Sequence, residues 1–164
     1  MRSRNRPRAQ TMSAPHKNDG RAALKAATRL SLRLTWELAQ LGGPLTAEQA
    51  RTVAIMREHP EYADLWPRLD RMSDAEIERD GSNPIVHVTM HGMVEDQIAA
   101  GKPAAVANVV AALVEAGLPR HEVIHRVASV LSEEIFHVMR DKRSFDEARY
   151  ARKLRELVGA SHGD

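Results

Sequence analysis

Residues 83–125 read NPIVHVTMHGMVEDQIAAGKPAAVANVVAALVEAGLPRHEVIH, and this stretch decides the fold. Asn83 has the short polar side chain that caps a helix, and Pro84 suits the first helical position, where no N–H is needed. The helix they open runs to Gly101. Pro103 opens a second helix, with Val106, Val109, Val110, Leu113 and Val114 at helical spacing and Gly117 at its end. Pro119 opens a third, which reaches to about Arg140. The apolar residues recur at intervals of three and four, not at the alternation of a half-buried strand. The connections at 101–103 and 117–119 are very short. Short connections predict an up, down, up trio whose first and third helices run parallel.

Working outward, Leu24, Ala27, Leu30, Leu34, Leu38 and Leu41 form an apolar stripe on an earlier helix that starts at Asn18 or Asp19. Gly42-Gly43-Pro44 stops it. Thr46-Ala47-Glu48-Gln49 is a capping box for a helix running to about His59, where Pro60 ends it. Residues 67–82 are polar and irregular, with one helical turn expected after Ser73. Ser144-Phe145-Asp146-Glu147 reads as another capping box, opening a last helix to about Val158. Residues 1–18, MRSRNRPRAQTMSAPHKN, have no apolar period and read as disordered. The expected fold class is all-α: a helical bundle of about six helices with a disordered basic N-terminal arm. Residues 19–160 form one domain in this reading, with a metal-binding core at 83–141.

Histidine placement is the chemical signal. His87, His91 and Glu95 stand at i, i+4, i+8 on one face of the helix that begins at Pro84. His121 and His125 stand at i, i+4 on the helix that begins at Pro119. His87 is three residues past one helix start and His121 two residues past the other. Parallel helices therefore bring both pairs to the same end of the bundle at nearly the same height. A single histidine on an apolar face is ordinarily a satisfied core residue. Four imidazoles buried without compensation would be costly, and imidazole is the commonest metal ligand. His87, His91, His121 and His125 are the candidate ligands, with Glu95 as an additional one. Gly92, inside the same helix, suggests a close approach to the backbone there. His137 lies about 18 Å along the axis from His125 and cannot join them. His59 reads as a helix cap before Pro60, and His16 and His162 lie in tails.

Nitrogen donors without sulfur suit zinc, iron, copper or nickel and argue against calcium or magnesium. Four histidines fill a tetrahedral zinc shell, which makes zinc the first expectation and iron the alternative. Glu95 and Glu122 are expected to orient the ligands by accepting their other ring N–H. His121-Glu122-x-x-His125 also matches the zinc-peptidase signature, in which Glu122 would be the general base. The other ligand candidates lie upstream of it, which counts against a peptidase. Catalytic residues are otherwise none.

Composition excludes several classes. Cysteine is absent, so there is no disulfide framework, thiolate nucleophile or thiolate metal site. No apolar run reaches a membrane span, and the Arg-rich start lacks the apolar segment of a secretory signal, so a cytoplasmic location is expected. The net charge of +2 conceals an asymmetry. Residues 1–33 carry nine basic side chains and one acid, a head of +8 on a body of −6. Arg2, Arg4, Arg6, Arg8, Lys17 and Arg21 are candidates for electrostatic contact with RNA or an acidic partner.

The pattern Asn83-Pro84-x2-His87-x3-His91-x2-Val94-Glu95-x-Gln97, the proline at 103, Gly117 and His121-Glu122-x2-His125 resemble an uncharacterised bacterial family of small helical proteins, a domain of unknown function. Glu58-His59-Pro60-Glu61-Tyr62 resembles that family's upstream block. The likeness covers roughly residues 47–157 and implies no reaction. In size, absence of cysteine and paired histidines the chain is also similar to a mycobacterial zinc-responsive factor that recruits the ribosome-hibernation factor, which implies a ribosomal partner. Two functions follow as expectations. One is a non-enzymatic, metal-binding regulatory or accessory protein acting on the ribosome or a ribosome-associated factor. The other is a non-haem iron or di-iron oxidoreductase or oxygen-binding protein.

Overall fold

In the computed structural model, residues 17–160 are described, the side chains of Lys17 and Asn18 excepted. Seven α-helices follow one another: α1 Lys17–Gln40, α2 Ala47–Arg57, α3 Asp74–Ile77, α4 Pro84–Ala100, α5 Ala104–Glu115, α6 Arg120–Asp141 and α7 Glu147–Ala160. Two 3-10 turns, Pro60–Tyr62 and Trp66–Arg71, lie between α2 and α3. No strand occurs among the described residues. The fold is all-α, and α3 is the single turn expected after Ser73. Residues 1–16 of the expected arm, with Arg2, Arg4, Arg6 and Arg8, lie outside the described residues. Lys17 and Asn18 open α1 instead of closing an arm, and Arg21 is exposed on that helix.

The caps explain most boundaries. The Asn83 side chain accepts from the N–H groups of Ile85 and Val86, and Pro84 takes the first helical position. Thr46 and Gln49 form the reciprocal box that starts α2. Gly42 takes φ +68, and the Gly43 N–H reaches back to the Leu38 carbonyl, so a left-handed turn closes α1. One cap differs from expectation. Asp146, not Ser144, accepts from the Arg149 N–H at the start of α7. Pro103 and Pro119 sit at N-cap positions with extended ψ, one step before the first helical residue.

Two hydrophobic clusters form the core. One gathers Val106, Val109 and Leu113 of α5, Val123, Val127 and Leu131 of α6, and Tyr150 and Leu154 of α7, with Val94 of α4. The other gathers Trp36, Met56, Leu65, Trp66, Leu69 and Ile77, with Val88 of α4. Both tryptophans are core residues, as their size favours. Helix α4 thus feeds both clusters, and His91 lies on it between Val88 and Val94.

The structure corrects two packing expectations. The chain turns by 102° between α4 and α5 and does not reverse fully. The leucine stripe of α1 is not its buried face: Leu24, Leu30, Leu34 and Leu41 are exposed. Thr35 and Trp36 are buried instead. The adjoining Arg29 donates to the Met72 carbonyl at 2.7 Å and pairs with Asp74, and Arg33 pairs with Asp70 at 3.0 Å. Burying one indole while pairing two guanidiniums outweighs a row of leucines, because the alternative rotation would strand both charges and the ring.

Among the described residues no single helix is long and apolar enough to cross a membrane. Helices α4 and α5 pass by length and composition only as a pair joined at that bend.

Candidate metal centre

Three segments deliver imidazoles to one point between the two clusters. Helix α4 supplies His87 and His91, α6 supplies His121 and His125, and the turn after α2 supplies His59. The centroid of the His59 ring lies 4.4 Å from that of His87, 4.9 Å from His91, 4.8 Å from His121 and 5.3 Å from His125. His91 and His125 are 4.5 Å apart across the helices. The two pairs thus meet as their matched distances from the helix starts require.

His59 is the residue that sequence reasoning misplaced. It occupies the N-cap position of a 3-10 turn but makes no capping hydrogen bond with its side chain. It is 1% exposed and sits among the other four rings. Pro60 is the reason: it ends α2's path and swings the residue before it inward, with φ −120 and ψ 69. The signal was present in the block Glu58-His59-Pro60-Glu61, where two carboxylates flank the histidine.

Four ring nitrogens of the cluster are buried and have no hydrogen-bond partner among the described residues: Nε2 of His59, Nε2 of His87, and both nitrogens of His91. Buried polar atoms ordinarily find partners. One donor atom from each of His59, His87, His91 and His125 lies within 4.8 Å of the other three. A second set of the same closeness comprises Glu58, His91 and His121. Burial and then the neighbouring imidazoles hold His87 down to about 4 and His91 down to about 3. His125 is lowered for the same reasons. These three rings are therefore neutral near pH 7, the form that donates a lone pair to a cation.

The carboxylates are arranged differently from expectation. Glu61 lies 2.9 Å from Nδ1 of His59 and Glu58 lies 3.1 Å from Nδ1 of His121. Each carboxylate accepts the Nδ1–H, which leaves the lone pair on Nε2; Nε2 of His121 meets Nε2 of His125 at 2.9 Å. The two carboxylate contacts are the orienting ones that had been assigned to Glu95 and Glu122. Glu95 is instead gripped by Arg120 through two bonds of 2.6 and 2.7 Å. Glu122 is exposed and bonded to Arg126 at 2.5 Å. Both acids are drawn off by an arginine within reach on the exterior, so neither approaches the imidazoles. His137 stays apart, within ion-pair reach of Glu133 and Asp141 on its own helix.

A groove opens beside the cluster. Ser82, Asn83, Ser129 and Ser132 line it, and His87, His91 and His125 form its inner wall. Gly92, singled out as a point of close approach, faces Ile55 of α2, and a Cβ there would sit 3.9 Å from the Ile55 Cδ1, an ordinary contact. The glycine is not what admits a ligand.

The model of one family, described as a domain of unknown function (DUF1841), matches residues 25–156. No curated protein and no solved structure matches the chain. The narrower likeness to a ribosome-associated factor finds no support among these matches.

Proposed function

The chain belongs to that family of unknown function, DUF1841, and from this premise we propose that it is a transition-metal-binding protein whose primary ligands are His59, His87, His91 and His125. The observation that carries the reading is the set of buried, unpartnered ring nitrogens that converge from α4 and the turn after α2. A cation accepting their lone pairs removes a desolvation cost that no other described residue offsets. Four nitrogen donors favour zinc, with iron as the alternative. Bound there, the ion ties the turn after α2 to α4 and α6, so the two hydrophobic clusters become one unit. Metal-linked rigidity of this kind fits a regulatory or accessory role. A charged N-terminal segment would supply electrostatic contact to RNA or a ribosomal partner in that role.

A second reading is favoured by the groove. The groove borders His87, His91 and His125, as a site with an exchangeable coordination position needs, and the serines along it offer hydrogen bonds to a small polar substrate. In this reading the metal acts on substrate as a Lewis acid or redox centre. Glu122 does not serve as general base in it, because Arg126 holds it on the surface.

Elemental analysis of chain purified without added metal tests the first reading, together with a visible spectrum. At least one colourless zinc per chain is the expected result. A metal content per chain that is unchanged in a His59→Ala, His87→Ala double variant would overturn the ligand set. Intense charge-transfer bands would favour the iron alternative.

A further inference from the structure

We propose that a second divalent transition-metal ion binds beside the first, held by Glu58, His121 and His91, with the His91 ring bridging the two ions as an imidazolate. This rests on the first site being a metal site. His91 is the one residue common to both sets of converging donor atoms. It is 1% exposed, and both of its ring nitrogens lack a partner among the described residues.

A neutral imidazole always carries one N–H. If a single ion took one nitrogen of His91, the other would keep a buried proton with no acceptor, which is costly. His59 and His121 avoid this problem through Glu61 and Glu58. No carboxylate among the described residues bonds to His91. A cation on each nitrogen resolves both at once. The bonding balances simply: His91 releases its ring proton to bulk water, each nitrogen gives one lone pair to one ion, and no electron is transferred.

The second set is also the more open one. Side-chain exposure is 50% for Glu58 and 37% for His121, against 1% for the whole of His59. The second ion therefore exchanges faster and leaves first under a chelator. Glu58 has two roles to divide, since its Oε2 now meets the Nδ1 of His121 at 3.1 Å. In the filled site the carboxylate binds the ion and the His121 ring binds beside it.

The test uses the full chain, stripped of metal and titrated with zinc under equilibrium dialysis. Two ions per chain are expected, one of them lost first to a competing chelator. A Glu58→Gln, His121→Ala double variant should bind one ion with an unchanged circular dichroism spectrum, because both side chains are partly exposed. One ion in the native chain, or two in the double variant, overturns the second site and leaves the four-histidine site standing. No ion in the native chain overturns both. Copper(II) loaded at two equivalents reads the bridge: exchange through the imidazolate should cut the paramagnetic signal well below two spins per chain, and a full two-spin signal would overturn the bridge.

Discussion

His59 shows how one residue changes role with its surroundings. Before Pro60 it has the sequence position of a cap, yet the turn carries it into the core and Glu61 fixes its Nδ1–H. Its Nε2 is left as a buried acceptor. Replacing Glu61 by Gln keeps a hydrogen-bond acceptor but removes the charge that raises ligand basicity. Metal affinity should fall about 10–100-fold by competition titration, the usual effect of losing such a partner; unchanged affinity would mean that Glu61 does not orient His59. Gly92 gives the opposite lesson. With an ordinary contact awaiting its Cβ, Gly92→Ala should be tolerated and should stabilise the helix by up to about 1 kcal/mol in chemical unfolding. A loss of stability would show that the backbone there needs the space.

At the scale of elements, the α6–α7 corner is held by Glu134, whose burial was not visible in the sequence. It is 2% exposed and accepts from Arg143, from the Asp146 N–H and through three contacts from Arg149 at 2.7–2.9 Å. Burial alone would raise its pKa, but the Arg149 guanidinium and the Asp146 N–H outweigh it and hold the group below the ordinary carboxylate value. The sign follows. A depressed folded-state pKa means the stabilisation is complete above the unfolded value of about 4.3 and is lost as pH falls below it. Glu134→Ala should cost about 2 kcal/mol at pH 7, with the difference from the native chain shrinking in acid. A difference that is constant with pH would rule out the ionised carboxylate as the source.

Element boundaries were largely legible because Asn83, Pro84, Thr46 and the glycines act locally. What was not legible depended on distant partners. The face of α1 was set by Asp70, Asp74 and Met72, which are some forty residues away in sequence. Glu95 and Glu122 went to arginines that helical spacing alone did not rank above histidine. The meeting of the His87–His91 and His121–His125 pairs was readable from their matched distances from the helix starts. His59 was not, because its entry depends on a turn between elements.

For the whole molecule, the cluster couples folding to protons and to metal. His87 and His91 are held at about 4 and about 3 by burial and by their neighbours, against about 6.5 in an unfolded chain. Lowered folded-state values mean that the unfolded chain takes up protons first. The metal-free protein should therefore keep its full stability above about pH 6.5 and lose it progressively as pH falls toward 4. Denaturant unfolding at pH 7.5, 6.0 and 5.0 with chelator present measures this, and stability rising with acid would contradict the buried neutral rings. Metal acts in the other direction. At a free zinc concentration 1,000 times its dissociation constant, the folded state gains about 4 kcal/mol, a rise in Tm of roughly 10 °C for a chain of this size.

The central claim is that His59, His87, His91 and His125 hold a transition-metal ion. Zinc binding to the metal-free native chain and to a His59→Ala variant, measured side by side by competition with a chromophoric chelator at pH 7.5, tests it most directly. The account predicts tight stoichiometric binding in the native chain and a loss of at least 100-fold in the variant. Equal affinity in the two, or no binding to the native chain, would contradict it.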